Sequence, residues 1–192
     1  MTWIKVCGIT SVADAAAAIQ AGVSAIGLVF ATSPRQVTTE RAREIADFAR
    51  GRAEIVGVFK GTAQVDAIHS AISFDRIQVH GDGPLTCAAP LIRVVKPDEL
   101  DQEVAASEGG ITLIDGSEGR GIAFDWSRVR SRAGRFVIAG GLEPENVGEA
   151  ITTARPFGVD VSSGVESSPG RKDPARIVRF VEAVRRADAD HR

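Results

Sequence analysis

Short apolar segments recur along the whole chain, and segments with a helical spacing of apolar residues separate most of them. The apolar segments are rich in Val and Ile and lie at residues 4–7, 25–30, 55–59, 77–80, 92–95, 112–115, 137–140 and 159–162. A short run of β-branched residues bounded by turn residues is typical of a strand. The alternation of strands with helices predicts a parallel sheet with right-handed crossovers.

Capping residues and prolines indicate where the helices begin. Helices are predicted at residues 15–21, 40–50, 65–72, 144–155 and 174–186. Ser11 and Asp14 form a capping box before the first of them. Pro144 and Pro174 are predicted to occupy the first turns of the last two. Residues 187–192 are expected to be a frayed tail.

Side-chain parity indicates that the sheet is closed. In the first strand Ile4 and Val6 share one face, whereas Lys5 and Cys7 share the other, and the fourth and eighth strands alternate in the same way. A doubly wound sheet would be apolar on both faces. A barrel buries its outer face under helices and tolerates polar groups inside, near its site. We therefore predict an α/β fold, a single (β/α)8 TIM barrel over residues 1–192.

Two connections are short for this fold. The fourth crossover, between 80 and 92, has room for one helical turn, and the fifth, 97–110, for about two turns. The whole chain is also shorter than the roughly 250 residues of a usual barrel. We expect shortened fourth and fifth crossovers.

Composition excludes several classes of function. The formal net charge is −2 and no basic stripe is present, so nucleic acid is not an expected partner. No segment approaches the roughly 20 apolar residues of a membrane helix. Residues 1–6 lack the basic and apolar regions of a secretory signal, so we expect no export. Two cysteines and three scattered histidines indicate a cytoplasmic protein with no metal site.

Glycine-rich strand ends near the carboxyl terminus predict a phosphate site. The last two strands both end in small residues, which leaves backbone N–H groups free to hold an anion. The phosphate-binding residues are predicted to be Gly140, Gly141, Ser162, Ser163 and Gly164. This arrangement is typical of the phosphate site after strands seven and eight of a barrel, and two ordinary glycine turns are the alternative.

Four side chains near predicted strand ends are candidates for chemistry. Cys7 ends the first strand, with an inert core cysteine as the alternative. Asp125 follows the sixth strand and is also a candidate helix cap. Arg35 suits bidentate binding of a carboxylate, with a solvated loop arginine as the alternative. His80 is a candidate for the substrate pocket, although a hydrogen-bonded structural histidine is the favoured interpretation.

An ordered set of motifs resembles phosphoribosylanthranilate isomerase of tryptophan biosynthesis. The matches run from residue 4 to about 181 and include Lys5-Val6-Cys7-Gly8-Ile9-Thr10, Ser33-Pro34-Arg35, Gln78-Val79-His80-Gly81, Phe124-Asp125-Trp126, Ala139-Gly140-Gly141-Leu142 and Val161-Ser162-Ser163-Gly164-Val165-Glu166. The resemblance implies catalytic roles for Cys7 and Asp125, and anthranilate contact for Arg35. The loop at 116–124 departs from the family by being shorter, so we expect it to cover the substrate less completely.

The implied reaction is an Amadori rearrangement of N-(5-phosphoribosyl)anthranilate that needs no cofactor. An acid, Asp125, protonates the furanose ring oxygen, and a thiolate base, Cys7, takes the proton from the adjacent carbon. Lys5 is a candidate to stabilise that thiolate, and Asp160 is a candidate to neutralise Lys5. A bell-shaped pH profile is expected, with thiol ionisation on its acidic limb and loss of the Asp125 proton on its basic limb. This requires a raised pKa for Asp125, which is expected only if the carboxyl group lies in a desolvated pocket or meets the negative charge of the substrate.

Two other functions stay open at this point. One is a dual isomerase that also accepts the larger aminoaldose of histidine biosynthesis. The other is a non-catalytic phosphoribosyl-binding subunit. In each case the expected partner is a small phosphoribosyl compound, not a membrane, and the chain is a monomer or a homodimer.

Overall fold

The structure is a computed structural model that describes residues 1–81, 83, 88–99, 110–116, 124–130 and 134–190. Eight strands form one closed parallel barrel in chain order, with β1 hydrogen-bonded to both β2 and β8. The strands are β1 (Trp3–Cys7), β2 (Ala25–Val29), β3 (Glu54–Lys60), β4 (Arg76–His80), β5 (Leu91–Val95), β6 (Ile111–Asp115), β7 (Phe136–Ala139) and β8 (Gly158–Val161). The predicted barrel is confirmed, and each predicted strand lies within a residue or so of its observed bounds.

Five α-helices in the described part of the chain pack outside the strands. They are α1 (Val12–Ala21), α2 (Thr39–Ala49), α3 (Val65–Ile72), α4 (Val147–Ala154) and α5 (Pro174–Ala189). Ser11 caps α1 by accepting a hydrogen bond from Asp14 N, and Gly22 ends it in the left-handed conformation. The carboxylate of Asp173 caps α5 in the same way, directly before Pro174.

The parity argument is confirmed by two separate cores. Ile4 and Val6 belong to the outer core between strands and helices, whereas Cys7 belongs to the inner core of the barrel. The polar interior residues Lys5 and Gln78 are buried as well. The barrel therefore carries its polar side chains inside, where parity predicted them.

Two boundary predictions are wrong. Pro144 precedes α4 instead of opening it, because residues 143–146 form a turn in which Asn146 Oδ1 accepts from Glu143 N at 2.9 Å. The tail does not fray at residue 187, because α5 continues to Ala189. Asp188 accepts hydrogen bonds from the backbone N and the hydroxyl of Thr2, at 2.8 and 2.6 Å, and these bonds hold the last turn against the barrel.

A short hairpin after β8 was not predicted. Its strands are β9 (Glu166–Ser168) and β10 (Arg171–Lys172), which pair antiparallel. The helical turns predicted within the fourth and fifth crossovers fall mostly on residues 82, 84–87 and 100–109, and the loop at 117–123 likewise lies outside the described residues. None of the helices in the described ranges has the length and apolar content needed to span a bilayer.

Candidate active site at the carboxyl end of the barrel

A buried ion pair lies inside the barrel next to Cys7. Lys5 has no exposed surface, and its Nζ donates to Asp160 Oδ2 and Gln78 Oε1, each at 2.9 Å. Burial alone would lower the pKa of Lys5, but the charges of Asp160 and Cys7 raise it above its usual value. Burial raises the pKa of Asp160, and the charge of Lys5 opposes that effect. The contact at 2.9 Å makes Lys5 and Asp160 a buried ion pair, as the sequence suggested.

Cys7 is a free thiol at the carboxyl end of β1, 9% exposed. Burial raises the pKa of Cys7, while the positive charges of Lys5 and Lys172 oppose that effect. A Cβ built on Gly27 of the neighbouring strand would lie 2.9 Å from Cys7 Sγ and 3.1 Å from Lys5 Cε. The thiol and the lysine stem thus share a space that only a glycine leaves open, and the free protein carries the thiol mainly in its protonated form at neutral pH.

Lys5 also fixes the hydrogen-bonding state of His80. The lysine can only donate, so Gln78 turns its amide oxygen to Lys5 and its NH₂ group to His80. Gln78 Nε2 lies 3.1 Å from His80 Nε2, which must then accept. Burial lowers the pKa of His80, with Asp115 opposing, so the ring is neutral and carries its proton on Nδ1. His80 thus belongs to the interior network, and its contact with substrate stays a prediction.

Arg35 follows β2, and its guanidinium group is already paired. Nε and Nη2 donate to the two oxygens of Glu166 at 2.8 and 2.9 Å, which is a bidentate ion pair. The Arg35 side chain is only 18% exposed. The solvated-loop interpretation of Arg35 is therefore wrong, because Glu166 holds the side chain against the barrel mouth.

Sequence reasoning missed the roles of Glu166 and Lys172. Lys172 Nζ donates to Glu166 Oε1 at 2.7 Å and to Ser162 O at 3.1 Å. Ser162 Oγ in turn donates to Cys7 O at 3.0 Å. One chain of contacts thus joins Arg35, the end of β8 and the end of β1. The available signal in the sequence was a glutamate, Glu166, directly after the predicted phosphate-binding residues 162–164 and Val165.

The two predicted phosphate loops lie side by side. Gly140 and Gly141 both have positive φ, at 90° and 66°, and a helical turn at Ser163–Val165 follows β8. A Cβ on Gly164 would overlap the carbonyl oxygen of Leu142, so the backbones of the two loops are in close contact at this glycine. Within the described chain, the N–H groups of Gly141, Ser163 and Gly164 donate no hydrogen bond. These groups are available to an anion.

Asp125 follows β6, which is three strands away from β1 around the barrel. Its carboxylate accepts from Ser127 N at 3.0 Å and caps the short helix Trp126–Val129. Among the described residues, no hydrogen bond joins Asp125 to Cys7 or Arg35. The side chain is exposed, and its hydrogen bond with Ser127 lowers the pKa of Asp125. A desolvated pocket therefore does not raise the pKa of Asp125 in the protein alone, because a cap bond in solvent favours the carboxylate. A raised pKa in contact with the negative charge of the substrate stays a prediction.

Comparison with known proteins gives one consistent result. A family model described as N-(5'phosphoribosyl)anthranilate (PRA) isomerase matches residues 4–183. The N-(5'-phosphoribosyl)anthranilate isomerase of Pseudomonas aeruginosa (strain LESB58) is 44% identical over an alignment 199 residues long, which covers 95% of this chain and 94% of the relative.

Solved structures agree. The phosphoribosyl anthranilate isomerase of Thermotoga maritima superposes with a TM-score of 0.85 at 35% identity, over 96% of this chain and 99% of that one. A second isomerase structure, in complex with reduced 1-(o-carboxyphenylamino)-1-deoxyribulose 5-phosphate, has a TM-score of 0.81 at 32% identity, over 96% and 99% of the two chains. The match to the family model over nearly the whole chain, on a barrel of the same topology, shows that this chain belongs to the N-(5'-phosphoribosyl)anthranilate isomerase family.

Proposed function

We propose that Cys7 and Asp125 are the general base and the general acid of the isomerisation that this chain catalyses. The isomerisation follows from membership of the family: N-(5'-phosphoribosyl)anthranilate is converted to 1-(2-carboxyphenylamino)-1-deoxyribulose 5-phosphate in tryptophan biosynthesis. The observation that carries the assignment of the base is the position of the Cys7 thiol. It ends β1 inside the barrel mouth, beside Lys5 and near the positive charge of Lys172.

The reaction begins with two catalysed proton transfers. Protonation of the furanose ring oxygen by the carboxyl group of Asp125 opens the ring to a protonated Schiff base. Removal of the proton from the adjacent carbon by the Cys7 thiolate then gives an enolamine. The enolamine tautomerises to the ketone as the former imine carbon gains a proton and the hydroxyl group on the adjacent carbon loses one. The positively charged imine takes up the electron pair, so the residues present suffice for this chemistry.

Binding groups are proposed at both ends of the substrate. The backbone N–H groups of Gly141, Ser163 and Gly164 hold the phosphate, and Arg35 holds the anthranilate carboxylate. The strand that ends in Cys7, β1, lies between β2, which precedes Arg35, and β8, which precedes one of the phosphate loops. Ser162 and the hairpin connect the two sides. A substrate held at both ends would lie across the thiol. The proposed location is the cytoplasm, since a reducing compartment preserves the free thiol of Cys7.

Turnover by the purified protein tests this proposal. Wild-type protein should consume N-(5'-phosphoribosyl)anthranilate, followed as loss of anthranilate fluorescence. Cys7→Ser and Asp125→Asn should each lower kcat by about 10²- to 10⁴-fold with folding intact. Asn keeps an oxygen that caps Ser127 N, so lost stability without lost activity in Asp125→Asn would reduce the residue to a helix cap. Full activity of Cys7→Ser would assign the base to another group.

A further inference from the structure

Glu166 and Lys172 lie between the phosphate loops and Arg35, and neither has a part in the proton transfers. Both are buried in the barrel mouth, with side chains 4% and 0% exposed. Lys172 Nζ is 2.7 Å from one oxygen of Glu166, whose two oxygens accept from Arg35. A buried ion triad of this kind is costly unless its geometry is well satisfied. Here the contacts of Glu166 with Arg35 and Lys172 are all hydrogen bonds of 2.7 to 2.9 Å, and Lys172 also donates to Ser162 O at 3.1 Å.

The pairing decides which side of the Arg35 guanidinium group a ligand can use. A guanidinium group offers two edges for bidentate contact, one formed by Nε with one terminal nitrogen and one formed by the two terminal nitrogens. Glu166 occupies the Nε–Nη2 edge. The Nη1–Nη2 edge keeps one N–H on each nitrogen for a second carboxylate.

Backbone packing fixes the rest of the Arg35 side chain. A Cβ on Gly8, which has φ +76°, would lie 3.1 Å from both Cβ and Cγ of Arg35, so the arginine stem rests on the residue after Cys7. The hairpin also reaches this loop, because a Cβ on Gly170 would overlap the carbonyl oxygen of Pro34. Thr10 Oγ1 donates to Gly170 O at 2.8 Å and ties the hairpin to the loop after β1.

Lys172 keeps Glu166 charged and the cluster positive. Burial alone would raise the pKa of Glu166, but the hydrogen bonds from Arg35 and Lys172 outweigh it and lower the pKa of Glu166 below its usual value. Burial lowers the pKa of Lys172, while its contact with Glu166 at 2.7 Å opposes that effect. With Arg35 and Lys172 both charged around one carboxylate, the cluster has a net charge of +1. That charge suits one carboxylate of a ligand, whereas a lone Arg35–Glu166 pair would be neutral.

We propose that Glu166, held in place by Lys172, is a positioning residue that orients Arg35 with its Nη1–Nη2 edge free for the anthranilate carboxylate. The proposal rests on the role proposed above for Arg35. It makes Glu166 a determinant of specificity for carboxylated substrate rather than a competitor for Arg35.

Kinetics of Glu166→Gln on two substrates test the proposal. Gln is isosteric and neutral and accepts through one oxygen only, so Arg35 loses one of the two acceptors of its bidentate pair. KM for N-(5'-phosphoribosyl)anthranilate should rise about 10- to 100-fold, as expected when a hydrogen bond to a charged group is lost, with kcat much less affected. For the N-(5'-phosphoribosyl)aniline analogue, which has no carboxylate, the variant and the wild type should have equal KM values. A lowered or unchanged KM for the carboxylated substrate would overturn the proposal, as would equal losses on both substrates.

The chain offers a matched control. Glu54 accepts from Arg76 Nε at 2.9 Å and from Arg76 Nη2 at 3.4 Å, at the opposite end of the barrel. Glu54→Gln removes the same kind of pair and should leave both KM values unchanged. If Glu166→Gln does not fold by circular dichroism, Glu166→Asp, which keeps the charge but shortens the reach, should show a smaller KM increase with the same substrate selectivity.

A double-mutant cycle separates this proposal from the role of Arg35. Arg35→Ala alone should raise KM for the carboxylated substrate, and adding Glu166→Gln should raise it no further. An effect of Arg35→Ala without an effect of Glu166→Gln would overturn the positioning role alone. No effect of Arg35→Ala on KM would overturn the proposed carboxylate contact, and the positioning role with it.

Discussion

Removal of the Lys5 charge should weaken both the fold and the base. In Lys5→Met the side chain fills nearly the same space, but Asp160 loses the ammonium group at 2.9 Å that balances its buried carboxylate. Removal of one partner of a buried ion pair lowers the free energy of unfolding by about 3–5 kcal/mol, because it leaves an uncompensated buried charge. Since small domains are stable by only about 5–15 kcal/mol, the loss should be large enough to lower the urea midpoint clearly.

The same variant should change the ionisation of Cys7. Lys5 lowers the pKa of Cys7, whereas Asp160 raises it. Without Lys5 both burial and Asp160 act in one direction, so the pKa of Cys7 should rise further and the thiolate fraction at neutral pH should fall. The rate of alkylation by iodoacetamide against pH measures this pKa. The measurement uses a Cys87→Ser background, because Cys87 is the other cysteine of the chain.

The double variant Lys5→Met/Asp160→Asn is the matched control. It removes both charges, so most of the lost stability should return and the pKa of Cys7 should lie below that of the single variant. Equal stability of Lys5→Met and wild type, or an unchanged alkylation profile, would contradict the account of the buried pair.

Two substitutions of glycine test the close contacts at the site. Gly164→Val should raise KM more than it lowers kcat. The new side chain moves the loop away from Leu142, and phosphate binding contributes equally to the ground state and the transition state. A KM equal to that of wild type would show that Gly164 is not part of the phosphate site. Gly27→Ala should lower kcat more than it raises KM, because the new Cβ would lie 2.9 Å from Cys7 Sγ and move the thiol. An unchanged kcat would show that the position of the thiol is not critical.

The barrel could be predicted from the sequence because its signals are local and repeated. Alternation within each strand placed Ile4 and Val6 outside and Lys5 and Cys7 inside, and the structure agrees. Helix ends were less predictable. Pro144 has the local signature of a helix start, but the turn that Asn146 closes on Glu143 delays the helix to Val147.

The electrostatics of the site could not be predicted, since they depend on contacts between distant segments. The Arg35–Glu166 pair joins residues 131 positions apart, and the Lys5–Asp160 pair joins residues 155 apart. Position at a strand end identified Cys7, but the burial that raises its pKa comes from the closed barrel around it. The sequence likewise identified Asp125 as a possible cap without indicating that the cap bond lowers its pKa.

The raised pKa of Cys7 and the lowered pKa of Asp125 exchange the groups that set the two breaks of the expected pH profile. The reactive form needs thiolate on Cys7, whose pKa is raised, and a protonated carboxyl on Asp125, whose pKa is lowered. This form is then a minor species, and its population still follows a bell. Below the pKa of Asp125 it falls because thiolate is lost, and above the pKa of Cys7 it falls because carboxylic acid is lost. The lower break therefore reports Asp125 and the upper break reports Cys7.

The pH dependence of kcat/KM for wild type and Asp125→Asn tests the assignment of base and acid most directly. Wild type should show a broad bell. Asp125→Asn should be far less active, and its rate should rise with pH and level off above the pKa of Cys7, because only thiol ionisation remains. Alkylation of Cys7 gives that pKa independently, and the two values should agree. An alkaline fall retained in Asp125→Asn, or a plateau that does not match the alkylation pKa, would contradict the roles proposed for both residues.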